Sequence, residues 1–194
     1  MLFRSRDFGD RRPSDRPFFQ PGSMAPADAR ALANVAGAGP GARILDPMCG
    51  TGGVLVEAGL VGSDVVGVDA QAKMVAGARE NLAHYLETHC LETHYLEDGF
   101  AVARGDATRL PFADGAFDGV VFDAPYGRQS KVENDSLSAL VGDALAEARR
   151  VAARAVVVGD RSYDAAAEAA GWTVDAHIER PVHRSLTRHV HVLR

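Results

Sequence analysis

The sequence predicts an α/β protein with a doubly wound, seven-stranded sheet that is mostly parallel. Three observations support this fold class. Short apolar segments typical of buried strands alternate with helical patterns along most of the chain. A glycine-rich turn joins the first of these strands to a helix. The last two strand segments follow each other without a helix between them, which predicts an antiparallel C-terminal hairpin strand in the sheet.

The predicted elements come in a regular order. We expect residues 1–24 to form an irregular N-terminal arm and residues 25–194 to form one domain. The first helix begins at Pro26, because proline is favoured in the first helical turn. The predicted helices cover Pro26–Ala36, Val54–Gly59, Ala70–Leu82, Leu137–Ala152 and Ala165–Ala170. The predicted strands cover Arg43–Leu45, Asp64–Val68, Ala101–Arg104, Gly119–Phe122, Ala155–Val158, Trp172–Glu179 and Thr187–Leu193. Right-handed crossovers between these strands give a Rossmann-like sheet.

Composition indicates a globular domain without a membrane span. The chain has 194 residues, of which 46% are hydrophobic and 24% are charged. No apolar run approaches the ~20 residues that a membrane helix needs, and no signal-peptide pattern opens the chain. The two cysteines, Cys49 and Cys90, provide no disulfide framework, so we expect a cytoplasmic location.

The distribution of charge leaves nucleic-acid binding open. A net charge of −5 argues against a purely electrostatic nucleic-acid binder. Positive charge nevertheless collects at both ends of the chain. The segment Arg180–Arg194 contains four arginines, three histidines and no acid, and the first sixteen residues contain five arginines. An RNA contact surface and an ordinary solvated surface are both compatible with this pattern.

A pentapeptide repeat interrupts the chain at residues 84–98, which read HYLET-HCLET-HYLED. Five residues advance a helix by about 140°, so His84, His89 and His94 do not share the helix face that a helical metal site requires. We therefore expect a tolerated insertion and no metal ligands here, even with Cys90 in the segment.

The segment ILDPMCGTGG (Ile44–Gly53) predicts a ligand-binding turn. Gly50, Gly52 and Gly53 follow a strand and open a helix, where the backbone can approach a ligand closely. Dinucleotide-binding proteins share this placement, but Leu55 stands where their third glycine lies. A dehydrogenase is therefore disfavoured.

Acidic residues accompany three successive strands. Asp46 precedes the glycines, Asp69 ends the second strand and Asp106 follows the third. Asp46 would repel a pyrophosphate and attract a cationic group, Asp69 suits ribose hydroxyls, and Asp106 suits an adenine edge. A nucleoside with an amino-acid tail and no phosphates, S-adenosylmethionine, fits all three. Each aspartate alone is equally compatible with a simple helix or turn cap.

With these motifs the chain resembles class I S-adenosylmethionine-dependent methyltransferases. The segments DPMCGTGG, VGVDA, GDATRLPF and FDAPYG occur in the order that this fold uses. More narrowly, the arm DRPFFQPGSM (Asp15–Met24), the glycine loop and the D-x-P-Y-G motif resemble the catalytic domain of archaeal tRNA guanine-10 N2-methyltransferases.

Two differences from that family affect what the resemblance implies. Ala124 stands where the family motif D-P-P-Y-G has its first proline. The family also carries an N-terminal RNA-binding THUMP module, and no counterpart precedes Asp15. The resemblance implies a tRNA substrate, with the missing RNA-binding function supplied either by a longer protein of which this is a catalytic fragment or by a partner.

The resemblance also implies the residues of the site. The cofactor-binding residues would be Phe19, Ser23, Asp46, Met48, Cys49, Gly50, Thr51, Gly52, Asp69, Ala70, Gly105, Asp106 and Ala107. The catalytic residues would be Asp123, Ala124, Pro125 and Tyr126, with no metal ion. The arm would fold over the cofactor, with its phenylalanines either covering the pocket or packing under the sheet.

The catalytic motif suits an exocyclic amine as methyl acceptor. The Asp123 carboxylate and the main-chain carbonyl of Ala124 can accept the two N–H bonds of the amine. Pro125 restricts Ala124 to extended conformations, which keeps that carbonyl aimed. Tyr126 would stack on a base taken out of its helix, and Gly127 would let the loop turn tightly.

We therefore expect transfer of one or two methyl groups to N2 of a tRNA guanosine, at position 10 if the resemblance holds in detail. Arg184 and Arg188, in the predicted hairpin turn, would contact phosphates or the flipped nucleotide. The alternatives are an N6-adenine or glutamine-amide methyltransferase, because related loops serve those acceptors, and a non-catalytic subunit that binds S-adenosylmethionine. The aspartate at position 123 and the upstream arm favour guanine.

Overall fold

The sheet has seven strands, and the computed structural model describes residues 8–87, 99–125, 134–184 and 186–194 of the chain. The strands are β1 Arg43–Asp46, β2 Asp64–Asp69, β3 Phe100–Arg104, β4 Gly119–Asp123, β5 Ala155–Gly159, β6 Val174–His183 and β7 Leu186–Leu193. Their spatial order is β3-β2-β1-β4-β5-β7-β6. Strands β1 to β5 are parallel, whereas β7 runs antiparallel to both β5 and β6. The predicted Rossmann-like fold class is thereby confirmed.

Helices cover both faces of this sheet. They are α1 Pro26–Val35, α2 Gly53–Gly59, α3 Ala72–Leu82, α4 Asn134–Val151 and α5 Asp164–Ala169. Helices α1, α2 and α3 pack on one face, and α4 and α5 pack on the other. In β4, the neighbours Val121 and Phe122 belong to opposite cores, as the period of two in a strand requires.

The position of β1 creates the crevice in which ligands bind in open α/β sheets. Strand β1 lies between β2 and β4. The chain after β1 first adds β2 and β3 on one side of it and then crosses to add β4 and β5 on the other side. At such a switch point the connections diverge and leave a gap beyond the carboxyl ends of the strands. The loop after β1 and the loop after β4 border this gap.

The C-terminal hairpin differs from its predicted bounds. Strand β6 begins at Val174, because Trp172 is buried and its indole Nε1–H donates to the carbonyl of Leu145 at 2.9 Å. The strand then extends to His183, so the turn of the hairpin lies later in the chain than predicted. Pro181 is accommodated because β6 is an edge strand, where a missing N–H leaves no neighbour unpaired.

Part of the pentapeptide repeat continues helix α3. Residues Ala83–Glu87 form a π-helical turn in which Tyr85 and Leu86 are buried. The Tyr85 hydroxyl donates to the carbonyl of Asp10 in the arm at 3.0 Å. His89, Cys90 and His94 lie outside the described residues, so the prediction of a tolerated insertion stays a prediction. Within the described segments, no helix combines the length and apolarity needed to cross a bilayer.

Candidate active site

The glycine loop starts at the buried end of β1. Asp46 is 3% exposed, and its Oδ1 accepts the amide N–H of Met48 at 3.0 Å. Gly50 and Gly52 adopt φ angles of +50° and +76°, which side chains other than glycine rarely tolerate. No atom lies within 4 Å of the position that a Cβ on Gly50 would take, so the loop presents bare backbone there. Cys49, within the loop, is buried, and burial raises the pKa of its thiol.

Asp69 joins the glycine loop to the end of β2. Its Oδ2 accepts the N–H of Gly50 at 2.9 Å, and its Oδ1 accepts the N–H of Gln71 at 2.8 Å. The N–H of Cys49 also donates to the carbonyl of Val68 at 3.0 Å. These bonds hold the two loops together, with Ala70 exposed between them.

Asp106 stands in the loop after β3 and is exposed. Its Oδ1 accepts both the N–H of Thr108 at 2.9 Å and the hydroxyl of Thr108 at 2.8 Å. The backbone bond first, and then the hydroxyl bond, lower the pKa of Asp106. The preceding Gly105 donates its N–H to the carbonyl of Asp69 at 3.1 Å, and Ala107 is buried.

All three aspartates therefore also serve as turn caps. Each carboxylate accepts the N–H two residues ahead, from Met48, Gln71 and Thr108 respectively. Capping does not exclude ligand binding, because a carboxylate offers about four acceptor positions. The two interpretations of the sequence are thus compatible.

Negative charge is concentrated at the switch point. Burial raises the pKa of Asp46 well above its usual range, and the charges of Asp69 and Asp123 raise it further. These three carboxylates, from β1, β2 and β4, are therefore within electrostatic reach of one another. A cation placed between them would relieve this repulsion.

The motif after β4 is described as far as Pro125. Asp123 is the last residue of β4, and the buried Ala124 donates its N–H to the carbonyl of Val158 at 2.8 Å. This bond continues the pairing of β4 with β5 one residue beyond the strand. Tyr126 and Gly127 lie outside the described residues, so their predicted roles stay predictions.

The two arginines predicted for the hairpin turn have different environments. Arg184 follows β6 and is exposed. Arg188 lies within β7 and is 7% exposed, with its Nη2 3.7 Å from Asp123 Oδ2. The tertiary structure thus brings a buried guanidinium to the predicted catalytic carboxylate, which the sequence did not indicate.

The arm contacts the glycine loop through Asn81 of α3. The N–H of Phe18 donates to Asn81 Oδ1 and the Asn81 amide donates back to the carbonyl of Phe18, both at 2.9 Å. The same amide donates to the carbonyl of Thr51 at 2.9 Å. The hydroxyls of Ser23 and Thr51 lie 3.3 Å apart. Asn81 was missed by sequence reasoning, because its partners are distant in the chain.

The two phenylalanines of the arm are placed differently. Phe18 packs directly on α3, where a Cβ on Gly77 would collide with its ring. Phe19 is 46% exposed. Phe18 therefore lies against a helix and Phe19 faces outward, and neither packs under the sheet.

A buried ion-pair cluster anchors the arm to α2. Glu57 is fully buried, and its two oxygens lie 2.8 Å from Arg11 Nε and 2.7 Å from Arg30 Nη2. Arg11 belongs to the arm and Arg30 to α1. An acid inside the apolar helix segment GVLVEAG was the only sequence signal for this cluster.

Known proteins share both the sequence and this architecture. A tRNA (guanine(10)-N2)-dimethyltransferase from Methanothermobacter thermautotrophicus is 50% identical over 120 residues, which are 62% of this chain and 32% of that protein. The enzyme of the same name from Pyrococcus abyssi is 34% identical over 196 aligned positions, covering 98% of this chain and 56% of that protein. The crystal structure of TrmN from Thermus thermophilus superposes with a TM-score of 0.68 at 27% identity, covering 90% of this chain and 50% of that one.

These matches cover most of this chain but only part of the curated relatives. The chain spans between about a third and just over half of the two curated relatives. The model of the UPF0020 family, described as the RMKL-like methyltransferase domain, matches residues 13–190. This match includes part of the arm, the glycine loop and every strand of the sheet except the last residues of β7. The chain therefore belongs to the UPF0020 family of RMKL-like methyltransferase domains.

Proposed function

We propose that the protein transfers methyl groups from S-adenosylmethionine to the exocyclic N2 amine of a guanosine in tRNA. The observation that supports this most strongly is the order of four acids along one edge of the sheet. They end or follow the neighbouring strands β3, β2, β1 and β4, and are Asp106, Asp69, Asp46 and Asp123. Neighbouring strands lie about 4.8 Å apart, so this edge spans about 14 Å. An adenine, a ribose, an amino-acid tail and a methyl acceptor would meet the acids in this order.

The residues present suit S-adenosylmethionine chemically. The raised pKa of buried Asp46 marks a carboxylate that a ligand ammonium would stabilise in its ionised form. Asp69 keeps acceptor capacity for ribose hydroxyls after binding two amides. Gly50 leaves bare backbone in the loop between them. The bound cofactor would supply an electrophilic methyl group on a sulfonium.

The other proposed cofactor contacts come from the same loops and from the arm. Gly105, Asp106 and Ala107 would border the adenine. Ser23 and Phe19 of the arm would close the pocket from outside, which the contact of Ser23 with Thr51 supports. The remaining proposed contacts lie in the glycine loop and after β2, and are Met48, Cys49, Thr51, Gly52 and Ala70.

The catalytic residues of the chain would bind and orient the acceptor amine. The nitrogen lone pair of an exocyclic amine is conjugated with its ring and is a poor nucleophile. The Asp123 carboxylate and the Ala124 carbonyl would accept its two N–H bonds and favour a more reactive geometry. Alanine can replace proline at position 124, because only a backbone carbonyl is needed there. Asp123 would then take the proton that the product loses.

Arg188 would act as a positioning residue for Asp123. The guanidinium lies 3.7 Å from the carboxylate and is itself buried, so it can hold the acid in one orientation. Arg184, which is exposed in the hairpin turn, would be the residue available to RNA phosphates.

The relatives' names support the choice of acceptor. Both curated relatives are named for dimethylation of guanine 10 in tRNA, so we propose the same position and a mono- or dimethylated product. A cytoplasmic location and a separate RNA-binding module or partner belong to the same proposal.

Methyl transfer to defined tRNA tests this function. The chain should methylate an unmodified tRNA transcript, and nucleoside mass spectrometry should detect N2-methylguanosine. The matched control is the same tRNA with inosine at position 10, because inosine lacks only the N2 amine; it should remain unmethylated. N6-methyladenosine or a methylated glutamine peptide would favour the other enzymes, and cofactor binding without any transfer would favour the non-catalytic subunit.

Asp123→Ala provides the test of the catalytic assignment. Loss of a positioned acceptor and base should lower the transfer rate at least ~100-fold. The affinity for S-adenosylmethionine, measured by calorimetry, should change less than about twofold. An Asp123→Ala protein that retains the parent's rate would remove Asp123 from the mechanism.

A further inference from the structure

A cluster of histidines and acids lies on the face of the C-terminal hairpin that points away from Asp123. Its members are His177 and Glu179 of β6, His189 and His191 of β7, and Asp164 of α5. In the antiparallel register, His177 pairs with His191 and Glu179 pairs with His189. Paired residues share a face, whereas adjacent residues alternate. Because Arg188 faces Asp123, His189 and its partners face the other side of the sheet.

His191 is a structural residue and not an available ligand. It is fully buried, its Nε2 accepts the N–H of Tyr163 at 3.0 Å, and its Nδ1 lies 3.2 Å from the carbonyl of Val157. An amide can only donate and a carbonyl can only accept, so His191 is neutral with its proton on Nδ1. Both ring nitrogens are therefore occupied. Burial also lowers the pKa of His191, which agrees with the neutral form.

The remaining histidines point ring nitrogens at each other. His177 Nε2 and His189 Nδ1 are 2.9 Å apart. Glu179 Oε1 lies 3.9 Å from His189 Nδ1, and these three atoms all lie within 4.8 Å of one another. Three atoms of the types that bind transition metals thus lie close to one another.

Asp164 completes the arrangement behind His177. Its Oδ2 lies 2.8 Å from His177 Nδ1, so this nitrogen carries a proton and donates it. The lone pair of a neutral His177 is then on Nε2, and His189 Nδ1–H donates to it at 2.9 Å. Metal binding would replace this proton, with His189 changing to the tautomer protonated on Nε2. A carboxylate in this position is the usual companion of a metal-binding histidine, because it fixes the tautomer and the ring orientation.

We propose that His177 Nε2, His189 Nδ1 and the Glu179 carboxylate bind a divalent transition-metal ion, with Asp164 orienting His177. Zinc fits this set of two nitrogens and one oxygen best. Ligands at about 2.1 Å in a tetrahedral zinc site are about 3.4 Å apart. The separations of 2.9 Å and 3.9 Å bracket that value, and the Glu179 side chain is 68% exposed and free to adjust.

The ion would fasten the edge of the sheet. It would link β6, which is an edge strand, to β7, and through Asp164 to α5. Three protein ligands leave a fourth position for water at this exposed surface. The site lies across the sheet from Asp123, so its role is in stability rather than in methyl transfer.

Metal binding by the full chain tests the proposal. After treatment with a chelator, the protein should bind one zinc ion at micromolar or lower Kd in competition with a chromophoric chelator. Cobalt in its place should give the visible absorption of a tetrahedral centre. A protein concentration of ~100 μM is about 100 times a micromolar Kd, so binding should then be stoichiometric. Absence of stoichiometric zinc binding at this concentration would overturn the proposal.

Single substitutions locate the ion. His177→Gln and His189→Gln should abolish the cobalt spectrum, and His84→Gln, an exposed histidine outside the cluster, should leave it unchanged. Glu179→Ala removes a side chain that is 68% exposed, and should weaken binding at least about tenfold. Asp164→Asn should weaken binding about 10- to 100-fold. Binding that survives loss of His177 and His189 would assign the ion elsewhere and contradict this site.

Discussion

Asp46 combines burial with the repulsion of neighbouring acids. Its pKa in the free protein is raised well above the usual value, chiefly by burial and further by the charges of Asp69 and Asp123. The ammonium of a bound amino-acid tail would reverse this effect by stabilising the ionised carboxylate. Binding would then release a proton from Asp46.

The affinity for S-adenosylmethionine should therefore depend on pH. The affinity should rise with pH through the raised pKa of Asp46, in a window that begins above the ordinary aspartate value of about 3.9. Calorimetry in two buffers of different ionisation enthalpy, below the α-amino pKa of about 7.7, measures the proton release. Asp46→Asn should bind more weakly and release no proton at this site. Equal affinity across the range would contradict the placement of the ammonium at Asp46.

Arg188 and Arg184 have contrasting environments, one buried beside Asp123 and one exposed. Arg188→Gln should lower kcat, because Asp123 loses the group that holds it, and should leave the salt dependence of tRNA binding unchanged. Arg184→Gln should raise KM for tRNA and reduce the salt slope by about one ion, because it loses a phosphate contact. Arg188→Lys keeps the charge and should partly rescue kcat. If Arg188→Gln instead changed KM and the salt slope while Arg184→Gln lowered kcat, Arg188 would be the residue that contacts RNA.

At the scale of elements, the arm is fixed by polar contacts rather than by apolar packing alone. Asn81 bonds both the arm and the glycine loop, and Glu57 pairs with one arginine from the arm and one from α1. The arm, α1, α2 and α3 are thereby linked around the loop that would hold the cofactor. The stability of the pocket and that of the arm should be coupled.

Removing the charge of Glu57 should destabilise the protein strongly. Glu57→Gln leaves the buried guanidinium groups of Arg11 and Arg30 without their carboxylate, which costs about 3–5 kcal/mol in comparable buried pairs. Urea unfolding measures the loss. The control Glu80→Gln, at an exposed position of α3, should stay within about 0.5 kcal/mol. If Glu57→Gln left the free energy of unfolding unchanged, the arm would not depend on this cluster.

At the scale of the whole molecule, cofactor binding should stabilise the fold. A ligand present at ~100 times its Kd adds about 2.7 kcal/mol. For a chain of this size, that corresponds to a rise in Tm of about 5–11 °C. Asp69→Asn should lose most of the rise, whereas Asp64→Asn, exposed at the other end of β2, should keep it. A parent protein without any thermal shift would contradict the proposed cofactor.

Much of this whole-molecule picture could be predicted. The fold class was correctly predicted from local patterns, because the buried strands are short apolar runs. The family was correctly predicted from the motifs that follow β1, β2 and β4, each of which ends at an aspartate. Most element bounds agree within two or three residues. The hairpin was predicted less well, because Trp172 looks like a strand residue locally and is drawn into the core between α4 and α5 by packing.

From the sequence alone we could propose the candidate site residues: the glycines that allow close approach, the aspartates at strand ends and the D-A-P-Y motif. Their arrangement in space depends on the tertiary structure. The acids occur in the chain in the order 46, 69, 106, 123, but lie along the sheet in the order 106, 69, 46, 123, because the strand order reverses at β1. The contact of Arg188 with Asp123, the arm anchored at Glu57 and the histidines converging on the hairpin also join distant segments. Spacing along the chain carries no information about such contacts, since they depend on strand pairing and helix packing.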